Sequence, residues 1–397
     1  MPNRRLSKRN DALRVVAIGG GTGLSSLLRG LKRYVEPVDG LPPLDITAVV
    51  TVTDDGGSSG RLRRELDVLP PGDIRNCLVA LSDDGDLLAK LFQYRFTAGK
   101  GLTGHSFGNL FLTALTHLTG DFANAVKLSA EILSINGRIF PSTGRNVTLE
   151  AELINGKLVV GETKISRARI AIKTIHLRPK HCPPLLETLQ AIEAADLITM
   201  GPGSLYTSVI PNLLVGGIPA AIRRSRALKA YFVNLMWQPW ETMSYSAFDH
   251  VDAIHRHGGA KLIDLAILNK RPIPAALRRV YAAQKVFAVE NDTPRLIEQG
   301  IEVIERNLLL TKGEKVRHDS VQTAAVVLEL ALRGRELSIA VQRIRQAPHR
   351  NALAEAGTRR LLLDRFPFTI YYRVGTDAVT VVAVAHQKRR PGYWSSR

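Results

Sequence analysis

Several short segments of this chain combine glycine with hydroxyl, carboxylate or guanidinium groups in the way phosphate chemistry requires. GGGTG (19–23) follows an apolar run at 13–18 and precedes an amphipathic stretch, LSSLLRGLKRY. Where a strand hands over to a helix through glycines, backbone N–H groups can approach an anion and the helix N-terminus adds positive potential. Gly20, Gly21 and Gly23 are therefore a candidate phosphate cradle, and Thr22 and Ser25 add hydroxyl donors. The spacing meets only part of the dinucleotide fingerprint, because a third glycine is absent after Gly23. A tight turn without a ligand is the competing reading. The strand before and the helix after favour the cradle.

DDGGSSGR (54–61) closes a predicted second strand at 46–53. Asp54 and Asp55 could hold Mg²⁺, which takes one or two protein carboxylates together with phosphate oxygens. Gly57, Ser58 and Ser59 could wrap a polar ligand, and Arg61 could meet a phosphate; a solvated polar loop is the alternative. GPGS repeats the first pattern: Gly201 and Gly203 follow a predicted strand at 196–200, and Ser204 suits the N-cap of the next helix. GHSFG (104–108) has the letters of a hydrolase nucleophile elbow, but 98–103 is not the buried strand that the elbow needs. A hydrolase serine is therefore rejected. His105 reads as a structural histidine, or as part of a loop that admits a ligand. Asn109 could bond a ligand or cap a helix. Tyr245 could stack on a base or sugar and Arg317 could pair a phosphate, although surface residues of these types often have no such role.

The elements that must position these groups alternate. Predicted strands at 13–18, 46–53, 196–200, 230–234 and 262–268 are separated by helical patterns, which implies a mostly parallel α/β sheet covered on both faces. Short alternating strands around Asn155-Gly156 mark a small β insertion at about 147–175. After about 333–335 the pattern changes to a helix at 337–345 and an antiparallel meander over 358–366, 369–374 and 378–385. The expected organisation is a basic arm (1–13), a main domain (14–334) and a small α+β appendage (335–397).

Composition narrows the classes. The 397 residues exceed one ordinary core, and no apolar run approaches the ~18 residues of a membrane span. Cys77 and Cys182 stand far apart without a His/Cys cluster, which excludes a disulfide framework or zinc site and fits a reducing cytoplasm. Half of the net charge of +18 falls in 333–397, which hold 13 Lys/Arg and 4 Asp/Glu. The rest of the excess needs no polymer partner, since a phosphate site also favours Arg and Lys.

The ordered set GGGTGL, VTDDGGSSGRLR, LPPGDIRN, FQYRF, GHSFGN, GPGSLYTSVIPNLL, ETMSYSAFDHV and RHDS resembles the gluconeogenesis factor (YvcK-type) branch of the CofD-like, 2-phospho-L-lactate transferase superfamily, over about 14–332. The resemblance implies a Rossmann-like three-layer α/β fold. It implies binding of a UDP-sugar such as UDP-N-acetylglucosamine, and a role in cell-wall precursor supply, cell shape and growth on gluconeogenic carbon. By motif match it puts Tyr245 and Arg317 among the groups that hold the nucleotide sugar, with the glycine loop, Asp54 and GPGS lining the same cleft. A regulator read by a protein partner is the leading expectation, with a homo-oligomer allowed. The alternative is a Mg²⁺-dependent transferase of the phospholactate type, with Asp54 and Asp55 as the residues to suspect.

The segment 359–394 resembles the C-terminal half of a RelE/ParE-type toxin. The usual first strand and much of the helical hairpin are missing, so a fusion remnant or docking module is expected. Nucleic-acid contact through Arg389 and Arg390 receives little support.

Overall fold

The computed structural model describes residues 12–83, 87–310, 315–376 and 378–387. Most of the basic arm, and Arg389 and Arg390, lie outside the described residues. The chain divides into two compact units, Met1–Leu328 and Glu329–Arg397.

The first unit is built on seven strands: β1 (Leu13–Gly19), β2 (Leu44–Val50), β3 (Arg138–Pro141), β7 (Leu197–Met200), β8 (Leu228–Phe232), β9 (Leu265–Asn269) and β10 (Glu302–Arg306). They lie in the order β10-β9-β8-β7-β1-β2-β3, every neighbouring pair parallel. The expected Rossmann-like sheet is therefore present. β7 is wholly buried and β1 is buried except at Arg14, as their apolar residues require in a sheet covered on both faces. Helix Gly21–Leu31 buries Leu24, Leu27, Leu28 and Leu31 completely. Burial of that size contributes roughly 1.5–3 kcal/mol per side chain.

The strand order sets where a ligand can go. β1, β2 and β3 run to one side of the sheet, and β7 to β10 run to the other. Connections after β1 and β7 thus diverge, opening a crevice beyond the carboxyl ends of these adjacent strands. Both glycine turns sit there.

The β insertion is a separate antiparallel sheet of β4 (Thr148–Leu153), β5 (Leu158–Val160) and β6 (Ile172–Arg178), in the order β5-β4-β6. It reaches slightly beyond the predicted end and contains a short helix, Glu162–Ser166, which the strand-like pattern had hidden.

Two expectations change. Residues 54–61 are not one polar loop, because a helix begins at Gly57 and buries Ser58 and Ser59 in its first turn. The two predicted helices on either side of 333–335 are one continuous helix, Ser320–Gln346, which runs through the division between the units. An isolated glycine such as Gly334 costs a helix only about 1 kcal/mol, too little to break it where flanking residues are packed.

In the second unit, β11 (Arg359–Leu362), β12 (Phe368–Val374) and β13 (Val379–His386) form the expected antiparallel meander. Its core joins Ile370 and Tyr372 of β12 to Ala340 and Ile344 of the helix.

Candidate functional site

The first glycine turn is shaped by its neighbours. Gly21 has φ +61°, a conformation that L side chains rarely adopt. Gly23 is packed so closely on the carbonyl group of Pro202 that no Cβ fits between them. The two glycine turns, far apart in sequence, are thus in backbone contact. Asn212, fully buried on the helix after the second turn, donates to the Gly19 carbonyl oxygen (3.2 Å) and to that of Ser208 (2.8 Å), tying both turns together. Ser204 caps the π-helical turn Leu205–Val209, where its Oγ accepts from the Thr207 amide. Its hydroxyl also donates to Glu241 Oε2 at 2.6 Å.

A cavity of about 670 Å³ opens over this crevice. Gly20, Gly21, Thr22, Gly23, Gly203 and Ser204 line it, and so does Arg317. The structure adds lining residues that sequence reasoning missed: Arg29, Arg75, Asn234, Trp237, Gln238 and Tyr281. Arg75 lies in the LPPGDIRN motif and was within reach of a reading that asked where its cation went. It donates to Ser106 Oγ (2.5 Å) and Asn76 Oδ1 (2.7 Å), while its Nε is buried without a partner. Burial, then Arg95, depresses its pKa, with Asp73 and Asp54 opposing. Among the described residues, Arg29, Arg75 and Arg317 form no salt bridge. Three cations around one cavity without carboxylate partners suit an anion carrying more than one charge.

Tyr281 had no signal in the sequence, because it stands on a short helix, Ala275–Ala283, outside every motif. Its hydroxyl oxygen accepts from the Val316 amide at 3.1 Å, which places it beside Arg317. Tyr245 is elsewhere. Its hydroxyl pairs with that of the buried Tyr206 at 2.8 Å, and it is not part of the cavity wall.

Other predicted residues form a second group outside the lining. Ser58 Oγ lies 2.9 Å from His105 Nδ1 and accepts from Asn109 Nδ2 at 3.1 Å. All three are buried, and burial followed by Arg61 lowers the His105 pKa. The group fastens the start of helix Gly57–Leu66 to that of Phe107–Thr119. Ser59 lies beneath Gly72, and Arg61 reaches the Thr103 carbonyl oxygen at 2.7 Å. Gly57 and Gly201 also stand outside the cavity wall.

Beside the first glycine turn lies a group of carboxyls. A Cβ on Gly20 would be 2.7 Å from Asp73 Oδ2, and the Gly21 amide donates to this carboxylate. Burial, then the nearby Asp54, raises the Asp73 pKa to about 7. Glu162, carried over by the helix of the β insertion, is pushed well up by burial and then by Asp54, Asp73, Glu241 and Asp55. Each carboxylate of the pair expected to hold Mg²⁺ has one oxygen already engaged. Asp55 Oδ1 is taken by the amide and hydroxyl of Thr163 (2.8 and 2.6 Å), and Asp54 Oδ1 by the Gly56 amide (2.9 Å). Among the described residues no three His, Cys, Asp or Glu side chains are grouped to hold a metal ion.

The fold and crevice define a Rossmann-like α/β protein with a cation-lined cavity at its topological switch point. The chain belongs to the CofD family, whose profile, described as 2-phospho-L-lactate transferase CofD, matches residues 15–309. It is 46% identical over 317 residues to the gluconeogenesis factor of Bacillus subtilis, covering 80% of this chain and 98% of that protein. It is 47% identical over 319 residues to a putative gluconeogenesis factor of Aquifex aeolicus, covering 80% and 96% respectively. The crystal structure of a Bacillus halodurans protein superposes with a TM-score of 0.76 at 46% identity, covering 81% of this chain and 99% of that one. Among the described residues no single helix is long and apolar enough to cross a membrane.

Proposed function

We propose that the protein is a cytoplasmic regulator of the gluconeogenesis-factor kind, which binds a UDP-sugar such as UDP-N-acetylglucosamine and reports its level to a protein partner. In this reading it supports cell shape and cell-wall precursor supply during gluconeogenic growth. The observation that carries it is the cavity, which two glycine turns in backbone contact line together with Arg29, Arg75 and Arg317. Backbone amides and guanidinium groups without a salt bridge suit a diphosphate, while Trp237 and Tyr281 offer faces for a base or sugar. The volume of about 670 Å³ lies within the range of ordinary small-molecule sites. We read the second unit as a docking module or fusion remnant related to RelE/ParE-type toxins.

Isothermal titration calorimetry of the full chain with UDP-N-acetylglucosamine, with and without Mg²⁺, tests the proposal. Binding that weakens in Arg317→Ala and Tyr281→Ala supports it. Absence of binding under either condition overturns it.

A second reading, transfer of the phospholactate type, is favoured by the carboxyls of Asp54, Asp73 and Glu162 beside the glycine turn. Turnover of a bound nucleotide sugar, lost in Asp54→Ala, would establish it.

A further inference from the structure

The segment 234–238 leaves the end of β8 and wraps one side of the cavity, with Asn234 and Gln238 both in its wall. Their amide orientations follow from their partners. The atom of Gln238 that receives the Leu205 backbone N–H (3.4 Å) must be an acceptor, so it is Oε1. The Asn234 atom that approaches the same Oε1 at 3.4 Å must then be the donor, Nδ2. One acceptor, Asn234 Oδ1, and one donor, Gln238 Nε2, are left without a bond to any described residue. Both residues are only partly exposed.

The surroundings hold this pair in place. The Gln238 backbone N–H donates to Thr242 Oγ1 (3.0 Å), and its backbone carbonyl oxygen accepts from the Glu241 and Thr242 amides (3.2 and 3.0 Å). Trp237, between the two, is anchored through Nε1 to the Tyr245 carbonyl oxygen (3.1 Å) and packs edge-on against Phe287. A polar pair fixed in this way costs little further ordering when it binds.

We propose that Asn234 and Gln238 are specificity-determining residues that read an amide edge of the ligand, Asn234 Oδ1 accepting from its N–H and Gln238 Nε2 donating to its C=O. The inference rests on the nucleotide-sugar reading and deepens it. Two parts of such a ligand carry that edge: the N3–H and carbonyl of uracil, and the acetamido group of an N-acetylated sugar. Cytosine presents the reverse pattern at the same position and would leave both protein groups opposed.

The test compares ratios of affinity in the full chain, because a ratio is insensitive to general weakening. UDP-glucose against CDP-glucose isolates the base, and UDP-N-acetylglucosamine against UDP-glucose isolates the acetamido group. Gln238→Glu keeps an acceptor for Leu205 and Asn234 but removes the donor, and Asn234→Ala removes the acceptor. The expected result is a preference of about tenfold or more in one ratio for the wild type, falling towards one in both variants. Preference in the first ratio assigns the edge to uracil, and in the second to the acetamido group. Ratios near one in the wild type, or a preference unchanged in both folded variants, would overturn the proposal while leaving the nucleotide-sugar reading intact. If none of the three ligands binds, both fall together.

Discussion

Gly23 lies directly against the carbonyl group of Pro202, with no space for a side chain between them. This contact joins the turn after β1 to the turn after β7, and it is what makes one site of two motifs. Gly23→Ala should separate the turns, destabilising the chain by about 1–3 kcal/mol as overpacking does. A fall in Tm together with weaker UDP-N-acetylglucosamine binding would bear this out. An unchanged Tm would show that the backbone yields without cost.

Tyr281 and Tyr245 should behave differently. Tyr281→Ala removes a face of the cavity and a partner of the Val316 amide, so affinity should fall by about tenfold, the loss expected when a buried contact is removed. Tyr245→Phe deletes only the bond to Tyr206 outside the lining and should change affinity by less than about twofold. Calorimetry on the two variants distinguishes them.

Asp73 introduces a pH dependence. Its pKa is raised to about 7 in the fold, so protonation is favoured there relative to the unfolded chain. Its contribution to stability is present at low pH and is lost as pH rises through about 7. The charged carboxylate beside the Gly21 amide also opposes an incoming phosphate. Ligand affinity should therefore be higher at pH 6 than at pH 8. Asp73→Asn should flatten that difference and raise Tm mainly at alkaline pH. A wild-type affinity independent of pH would count against this account.

The Ser58, His105 and Asn109 group should matter for stability and not for the ligand. Ser58→Ala leaves His105 and Asn109 without a buried partner, at a cost of about 1–3 kcal/mol. Denaturant midpoints should fall while UDP-N-acetylglucosamine affinity stays the same. A selective loss of affinity would return Ser58 to the ligand site.

Much of the fold was legible because its central strands carry dense local signals. β1 is apolar apart from Arg14 and ends in glycine, β7 is apolar apart from Thr199 and is followed by glycine, and the Asn155-Gly156 turn marks the hairpin of the β insertion, with Gly156 at φ +80°. The strands that escaped notice, β3 and β10, are the two edges of the large sheet. An edge strand is short or keeps polar residues exposed, as Glu305 and Arg306 are, so its periodicity is faint. Helices Ile218–Arg224, Ala275–Ala283 and Thr293–Glu298 were missed for a related reason, each spanning nine residues or fewer.

By itself the sequence determined the class of fold, the two strand-to-helix glycine turns and the separate character of the C-terminal meander. Each depends on residues close together in the chain, where backbone freedom and hydrophobic period act locally. Only the tertiary structure decided which polar groups share a cavity. It turned Ser58, His105 and Asn109 toward one another, paired Tyr245 with Tyr206, and brought Arg75, Gln238 and Tyr281 to the wall that Gly21 and Arg317 also form. The physical reason is the order of strands. Parallel connections carry distant segments to the same edge of the sheet, and no local pattern records which of them will meet there.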